Sequence, residues 1–175
     1  MNKCIKEESI FNGKRFNVVR RTYENQEGKE YIRECVETSS AAVILALTED
    51  NEVLFVKQYR EVIGEETLEM PAGIIEKNEE PIVAAKRELE EETGLVAESI
   101  EPLLNYYVSC GYTNEKIYLF VAKGLKNGNV KYDGDEQING IEKIPLEKCY
   151  ELQRQNFFKH ASSNMALLTY KDKLR

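Results

Sequence analysis

The sequence predicts an α+β fold built as one domain, with an antiparallel β-hairpin extension at its N-terminus. Three observations carry this. Stretches rich in valine, isoleucine, leucine and tyrosine recur through the first 60 residues, separated by turn-forming residues. One sharply punctuated helical segment follows, with Pro81 near its start and Gly94 at its end. Strand-like stretches then resume before two C-terminal helices, an order that suits a sheet packed against helices.

Taken in order, residues 16–23 predict a strand, 25–28 a turn and 29–37 the return strand. Residues 40–47 predict a buried strand from their aliphatic content, and 52–60 its antiparallel partner across a turn at 49–51. A looser stretch, 61–73, leads to the helix. Asn78 is the expected N-cap, with Glu79, Glu80 and Pro81 in the first turn and Gly94 as the stop. Ile82, Ala85 and Leu89 fall on one helical face. Two strands are expected at 102–109 and 116–122, then a Gly/Asn/Asp-rich loop at 124–140. A short strand at 141–144, a helix opened by Pro145 and a last helix at 163–173 complete the chain. The expected division is a β extension at 1–38 and the main domain at 39–175.

Composition removes several function classes. The 175 residues suffice for a core without staples. The net charge is −7, the wrong sign for gripping nucleic-acid backbones. The longest aliphatic run, 41–47, is far too short to span a membrane, and charges at Lys3, Lys6, Glu7 and Glu8 leave no visible signal peptide. With His160 as the only histidine, His-pair zinc sites and His-based triads have little to work with. Cys4, Cys35, Cys110 and Cys149 are too widely spaced for a metal knuckle or a C-x-x-C pair, so they read as free thiols in a reducing cytoplasm. Carboxylate is plentiful, and hard carboxylates suit Mg²⁺ or Mn²⁺.

The acids concentrate on the central helix. Glu88 and Glu92 are four residues apart with Glu91 beside them, and like charges at that spacing repel. Glu92 projects close to the Ala85–Leu89 face and should be partly buried, where an unpaired carboxylate is costly. Arg87 pairs with Glu91 at i+4, and Lys86 reaches Glu90, but neither neutralises Glu88 and Glu92 together. A divalent cation would. A solvated acidic face is the plainer alternative. The small Ala84 and Ala85, with Gly73 just upstream, would let a loop carbonyl approach the same place.

The stretch from Gly73 through Glu79, Arg87, Glu88, Leu89, Glu91, Glu92 and Gly94 to Leu95 resembles the Nudix box, G-x5-E-x7-R-E-U-x-E-E-x-G-U with U aliphatic, at all nine specified positions. The resemblance implies an α/β/α sandwich around a mixed sheet. It also implies hydrolysis of a nucleoside diphosphate linked to another group, with Mg²⁺ or Mn²⁺ as cofactor. Carried over by position, Glu88, Glu91 and Glu92 with the carbonyl of Ala72 would ligate metal. Arg87 would hold the glutamates by salt bridges, and Glu79 would brace the loop.

The flanks are similar to the ADP-ribose pyrophosphatase branch of that family. Arg33-Glu-Cys-Val-Glu resembles its entry strand without the usual histidine. Gln58-Tyr59-Arg60 resembles its Q-[YF]-R motif, Leu68-Glu69-Met70-Pro71-Ala72-Gly73 its L-E-x-P-A-G lead, and Ser109-Cys110-Gly111-Tyr112-Thr113-Asn114-Glu115 its S-P-G-x-[TS]-x-E segment. The likeness implies that Arg60 meets the diphosphate, that Ser109 and Glu115 meet the terminal ribose, and that Arg33 approaches the adenine end across a homodimer interface. Phe11, Phe16, Tyr23 and Tyr31 are alternatives for stacking on the base. Glu136 would help deprotonate water from a loop, with Asp133 and Asp135 as rivals. Cys110 stands where the branch usually has proline, which keeps other nucleotide sugars such as GDP-mannose open as substrates. A non-catalytic nucleotide-sugar sensor is the alternative of a different class.

Overall fold

The computed structural model describes residues 2–129 and 138–174. Its Cα packing divides the chain into two compact units, Met1–Ser40 with Tyr106–Ile117, and Ala41–Asn105 with Tyr118–Arg175.

The first unit is built on an antiparallel meander of β1 (Lys3–Asn12), β2 (Asn17–Glu24) and β3 (Glu30–Glu37). The β2–β3 hairpin was expected; β1 was not. Every residue of β1 is exposed, so neither face imposes the apolar alternation by which a strand is recognised. Polar side chains fasten it instead, with Arg21 on β2 bridging Glu7 of β1 and Glu37 of β3. The hairpin turn is built by Asn25, whose Oδ1 accepts the amides of Glu27 and Lys29 at 2.9 Å, and by Gly28 at a φ of 76°. The 109–115 segment is pinned to β3. The Val36 amide donates to the Tyr112 carbonyl at 2.7 Å, and the Thr38 amide to Asn114 Oδ1 at 2.9 Å.

The second unit is an α/β/α sandwich. Its strands are β4 (Ala41–Ala46), β5 (Glu52–Arg60), β6 (Glu65–Glu69), β7 (Ala72–Ile74), β8 (Leu95–Tyr107), β9 (Lys116–Asn127) and β10 (Ile138–Pro145), and the last residues of β8 and the first of β9 belong to the first unit. They form two sheets, in the orders β7-β4-β9-β8 and β10-β5-β6. The helices are α1 (Pro81–Thr93), α2 (Leu146–Arg154) and α3 (Ala161–Lys173). Strand β4 is buried on both faces, which is why it reads as an unbroken apolar run. Ala42, Ile44 and Ala46 pack with Ala84, Ala85 and Leu89 of α1, while α3 lies against the same strand and α2 against β5 and β10. Leu89 is fully buried, and removing such a side chain from water contributes about 1.5–3 kcal/mol. Phe55 of β5 stacks on Phe158 with centroids 4.9 Å apart.

The helix that carries the acids starts later than expected. Asn78 is not its N-cap; it sits at a φ of 67°, in the left-handed region that asparagine tolerates, and turns the chain. Pro81 occupies the first helical position, where a missing N–H costs nothing, and this sets the start, with Glu80 as the capping residue. Glu79 and Glu80 therefore precede the helix. Gly94 closes it at a φ of 69°, its amide donating to the Glu90 carbonyl at 2.8 Å. Strands β9 and β10 also claim both ends of the loop expected at 124–140. No helix among the described residues is long and apolar enough to cross a membrane.

Candidate active site

The site is assembled on α1 and on the turn that leads into β7. The 3.6-residue period puts Arg87 and Glu91 on one side of α1, with Glu88 and Glu92 beside them. Arg87 is the hub. Its Nε and Nη2 donate to the two carboxylate oxygens of Glu79, each at 3.0 Å. Its Nη1 donates to Glu88 at 2.6 Å and to Glu91 at 3.0 Å. Its Nη2 also reaches the carbonyl of Ile74 at 2.8 Å, so one guanidinium ties the helix, the β7 strand and the turn before the helix. Hydrogen bonding and charge from Glu79, Glu88 and Glu91 outweigh burial and hold Arg87 firmly protonated. Arg87 in turn holds the Glu79 carboxyl below the ordinary glutamate range. That depressed value makes the Glu79 contribution to stability complete above the unfolded carboxylate value, and it is lost as pH falls through the folded one.

Glu92 is fixed differently. It is 3% exposed, accepts the Ala72 amide at 2.9 Å and lies 3.5 Å from Gln58 Nε2 on β5. Glu88 is also buried, and its carboxylate lies flat on Gly73. A Cβ built on that glycine would fall 2.0–2.1 Å from the carboxylate atoms, so only glycine admits the acid there.

A second polar cluster sits at the β5–β6 end. Paired antiparallel, with Arg60 opposite Glu65, these strands let Arg60 lay its fork on Glu69, Nε at 2.8 Å and Nη2 at 2.7 Å. Glu69 is 3% exposed and also accepts the Thr67 hydroxyl at 2.6 Å, with His160 Nδ1 at 3.5 Å. Burial alone would raise the Glu69 carboxyl, but Arg60, His160 and Thr67 together bring it below its usual value. Burial lowers the His160 imidazole despite the facing acid.

Ala72, Arg87, Glu88, Glu91 and Glu92 are therefore brought together. Arg60 is held by Glu69, a pairing the sequence reading did not contain. Its signal was present: Glu69 stands in the quoted L-E-x-P-A-G stretch, but a partner nine residues away shows only once the hairpin is drawn. Arg33 belongs to the first unit, where its guanidinium lies 4.7 Å from the Tyr31 ring centroid and Tyr31 stacks on Tyr23. Ser109 and Glu115 flank the pinned loop of that same unit; the Ser109 carbonyl accepts the amides of Tyr112 and Thr113. Asp133, Asp135 and Glu136 lie outside the described residues.

Among the described residues, no three histidine, cysteine, aspartate or glutamate side chains stand grouped as a ready metal cage, because Glu88 and Glu91 are turned onto Arg87 and Glu92 onto the Ala72 amide. The donor set nonetheless fits a hard divalent cation. It offers three carboxylates on one helical turn, and the bare Gly73 leaves room for Glu88 directly against the loop.

A sandwich carrying this arginine-centred acidic turn defines a class, and the sequence comparison agrees: the NUDIX domain pattern matches residues 37–164, and the chain belongs to the Nudix family. Enzymes of that family hydrolyse nucleoside diphosphate compounds and generally use divalent metal ions. Among its relatives, the chain is 40% identical to the methanol dehydrogenase activator of Bacillus methanolicus over 142 residues, covering 80% of this chain and 77% of the relative. It is 35% identical to the ADP-ribose pyrophosphatase of Bacillus subtilis over 151 residues, covering 86% and 82%. A solved structure described as an ADP compounds hydrolase superposes with a TM-score of 0.87 at 22% identity, covering 99% of this chain and 94% of that one, which shows the fold.

Proposed function

We propose that this chain hydrolyses ADP-ribose to AMP and ribose 5-phosphate, with Mg²⁺ or Mn²⁺ as cofactor. The observation that carries the reading is the Arg87 hub with Glu79, Glu88 and Glu91 on one guanidinium, in a chain 35% identical to an ADP-ribose pyrophosphatase. In the reaction the P–O–P bridge breaks, and the oxygen of water ends on one of the two phosphorus atoms. Glu88, Glu91, Glu92 and the Ala72 carbonyl would hold the cation, which when bound neutralises diphosphate charge and acidifies water. Arg87 keeps the acids in place and apart. Arg60, with Nε and Nη2 on Glu69, would bring its guanidinium charge to the phosphate oxygens. Glu136, with Asp133 and Asp135 as alternatives, is assigned from sequence to accept the proton of water. Ser109 and Glu115 for the ribose, and Arg33 for the adenine end, rest on the same resemblance.

The test is release of AMP and ribose 5-phosphate from ADP-ribose in Mg²⁺, abolished by chelation, beside a panel of nucleotide sugars that includes GDP-mannose. Turnover of the panel without ADP-ribose would overturn the substrate. The relative from Bacillus methanolicus favours a second reading, as an effector of a dehydrogenase, in which the chain raises a dehydrogenase rate.

The extension at 1–38 is proposed as the dimer contact. Ile5, Ile10, Phe11 and Ile32 stand exposed on its sheet, apolar side chains that a second copy would cover. Sedimentation should give twice the 20.2 kDa chain mass, and a monomer at working concentration would remove this assignment. Free thiols at all four cysteines support a cytoplasmic setting.

A further inference from the structure

We propose that Glu69 is a positioning residue, which holds the Arg60 guanidinium at one fixed angle toward the substrate's diphosphate. The inference rests on the function proposed above for its assignment of Arg60. The pair runs from interior to surface: the Glu69 side chain is 4% exposed and that of Arg60 45%. An exposed arginine on an ordinary surface samples many rotamers, and a diphosphate would have to order it on binding. Here two parallel N–H···O bonds fix both its direction and the plane of its fork.

The carboxylate itself is held from behind. The Thr67 hydroxyl donates to Oε1 at 2.6 Å, the same oxygen that receives Arg60 Nε. His160 Nδ1 faces Oε2 at 3.5 Å and Ser163 Oγ at 3.5 Å, and Ser163 Oγ accepts the Met70 amide at 3.1 Å. So α3 clamps the residue after Glu69, and the carboxylate has little freedom of its own. A buried acid this well partnered is costly to assemble and gives little net stability over an apolar replacement. A role in orientation explains its presence better. The location agrees. Glu69 lies three residues before Ala72, and Gln58, two before Arg60, reaches Glu92. One hairpin end thus sets Arg60 and touches the acidic turn.

The test is a cycle of Glu69→Gln, Arg60→Ala and the double variant, read by calorimetric binding of ADP in Mg²⁺ and by KM and kcat on ADP-ribose. Glutamine keeps the shape but presents an NH₂ to the fork. Each single variant should weaken ADP about 10-fold or more and raise KM by a larger factor than kcat falls. The double variant should bind ADP no more weakly than Arg60→Ala alone, since Glu69 acts only through that arginine. Multiplying effects, or a fall in kcat with KM unchanged, would overturn the assignment. If Glu69→Gln fails to fold, Glu69→Asp keeps the charge but withdraws it by one methylene; it should raise KM, and wild-type ADP binding in it would also overturn the proposal. ADP binding does not require turnover, so a wild-type chain inert toward ADP-ribose refutes the substrate while the cycle still decides the role of Glu69.

Discussion

Glu91→Gln should lower kcat on ADP-ribose by about 10²-fold or more while the protein stays folded, as expected when a charge placed for the transition state is removed from a pre-set site. Glu91 makes this the clean variant because it bonds Arg87, which keeps Glu79 and Glu88 when Glu91 is lost. The neighbouring Glu92→Gln should also abolish turnover, but it will not leave the fold untouched. Its carboxylate accepts the Ala72 amide at 2.9 Å in a nearly closed environment, beside Gln58. An amide there turns a donor toward a donor, and a buried mismatch of that kind costs about 1–3 kcal/mol. Thermal unfolding and steady-state kinetics on both variants separate the two roles: the Glu91 variant should lose rate alone, the Glu92 variant rate and melting temperature. Wild-type turnover in Glu91→Gln would remove that residue from the site.

Gly73→Ala should be nearly as damaging to activity, and for a reason no side chain at position 73 supplies. The added methyl would overlap the Glu88 carboxylate at about 2 Å, a distance no rotation of the methyl relieves. The atoms in the way are the far end of a flexible side chain, so Glu88 will swing out rather than the backbone yield. The fold should survive with a modest loss of stability, while Glu88 leaves both Arg87 and the loop and turnover falls by about 10²-fold. The control is Glu88→Ala. In that background the methyl at 73 meets no carboxylate, and Gly73→Ala should cost no further stability. If it costs as much there as in the wild type, the close approach is not the reason for the glycine.

The acidic turn was legible because its residue types and spacing are fixed by the box, and helix geometry alone places Glu88, Glu91 and Glu92 together. The hub was half legible. Sequence gives Arg87–Glu91 at i+4, but Arg87 reaches Glu79 only because Asn78 and Pro81 bend the chain back before the helix begins. Strand β5, with a buried face, was found at its true bounds, Glu52–Arg60. Strand β6 was missed because three glutamates in five residues mask it, with Thr67 and Glu69 buried by virtue of polar partners rather than apolarity. A hydropathy pattern cannot register a strand whose buried positions are satisfied by hydrogen bonds. The same blindness hid the Arg60–Glu69 fork and the Gln58 and Ala72 contacts to Glu92. Each joins segments whose proximity is decided by strand pairing and helix packing.

The Arg87 hub is electrically lopsided. One guanidinium cation answers three carboxylates, Glu79 before the helix and Glu88 and Glu91 on it, while Glu92 beside them brings a fourth. A single further lysine or arginine would cancel less of that surplus than one dication does. On the proposed function, a diphosphate approaching the bare protein would meet like charge, and its admission would depend on a counterion arriving with it.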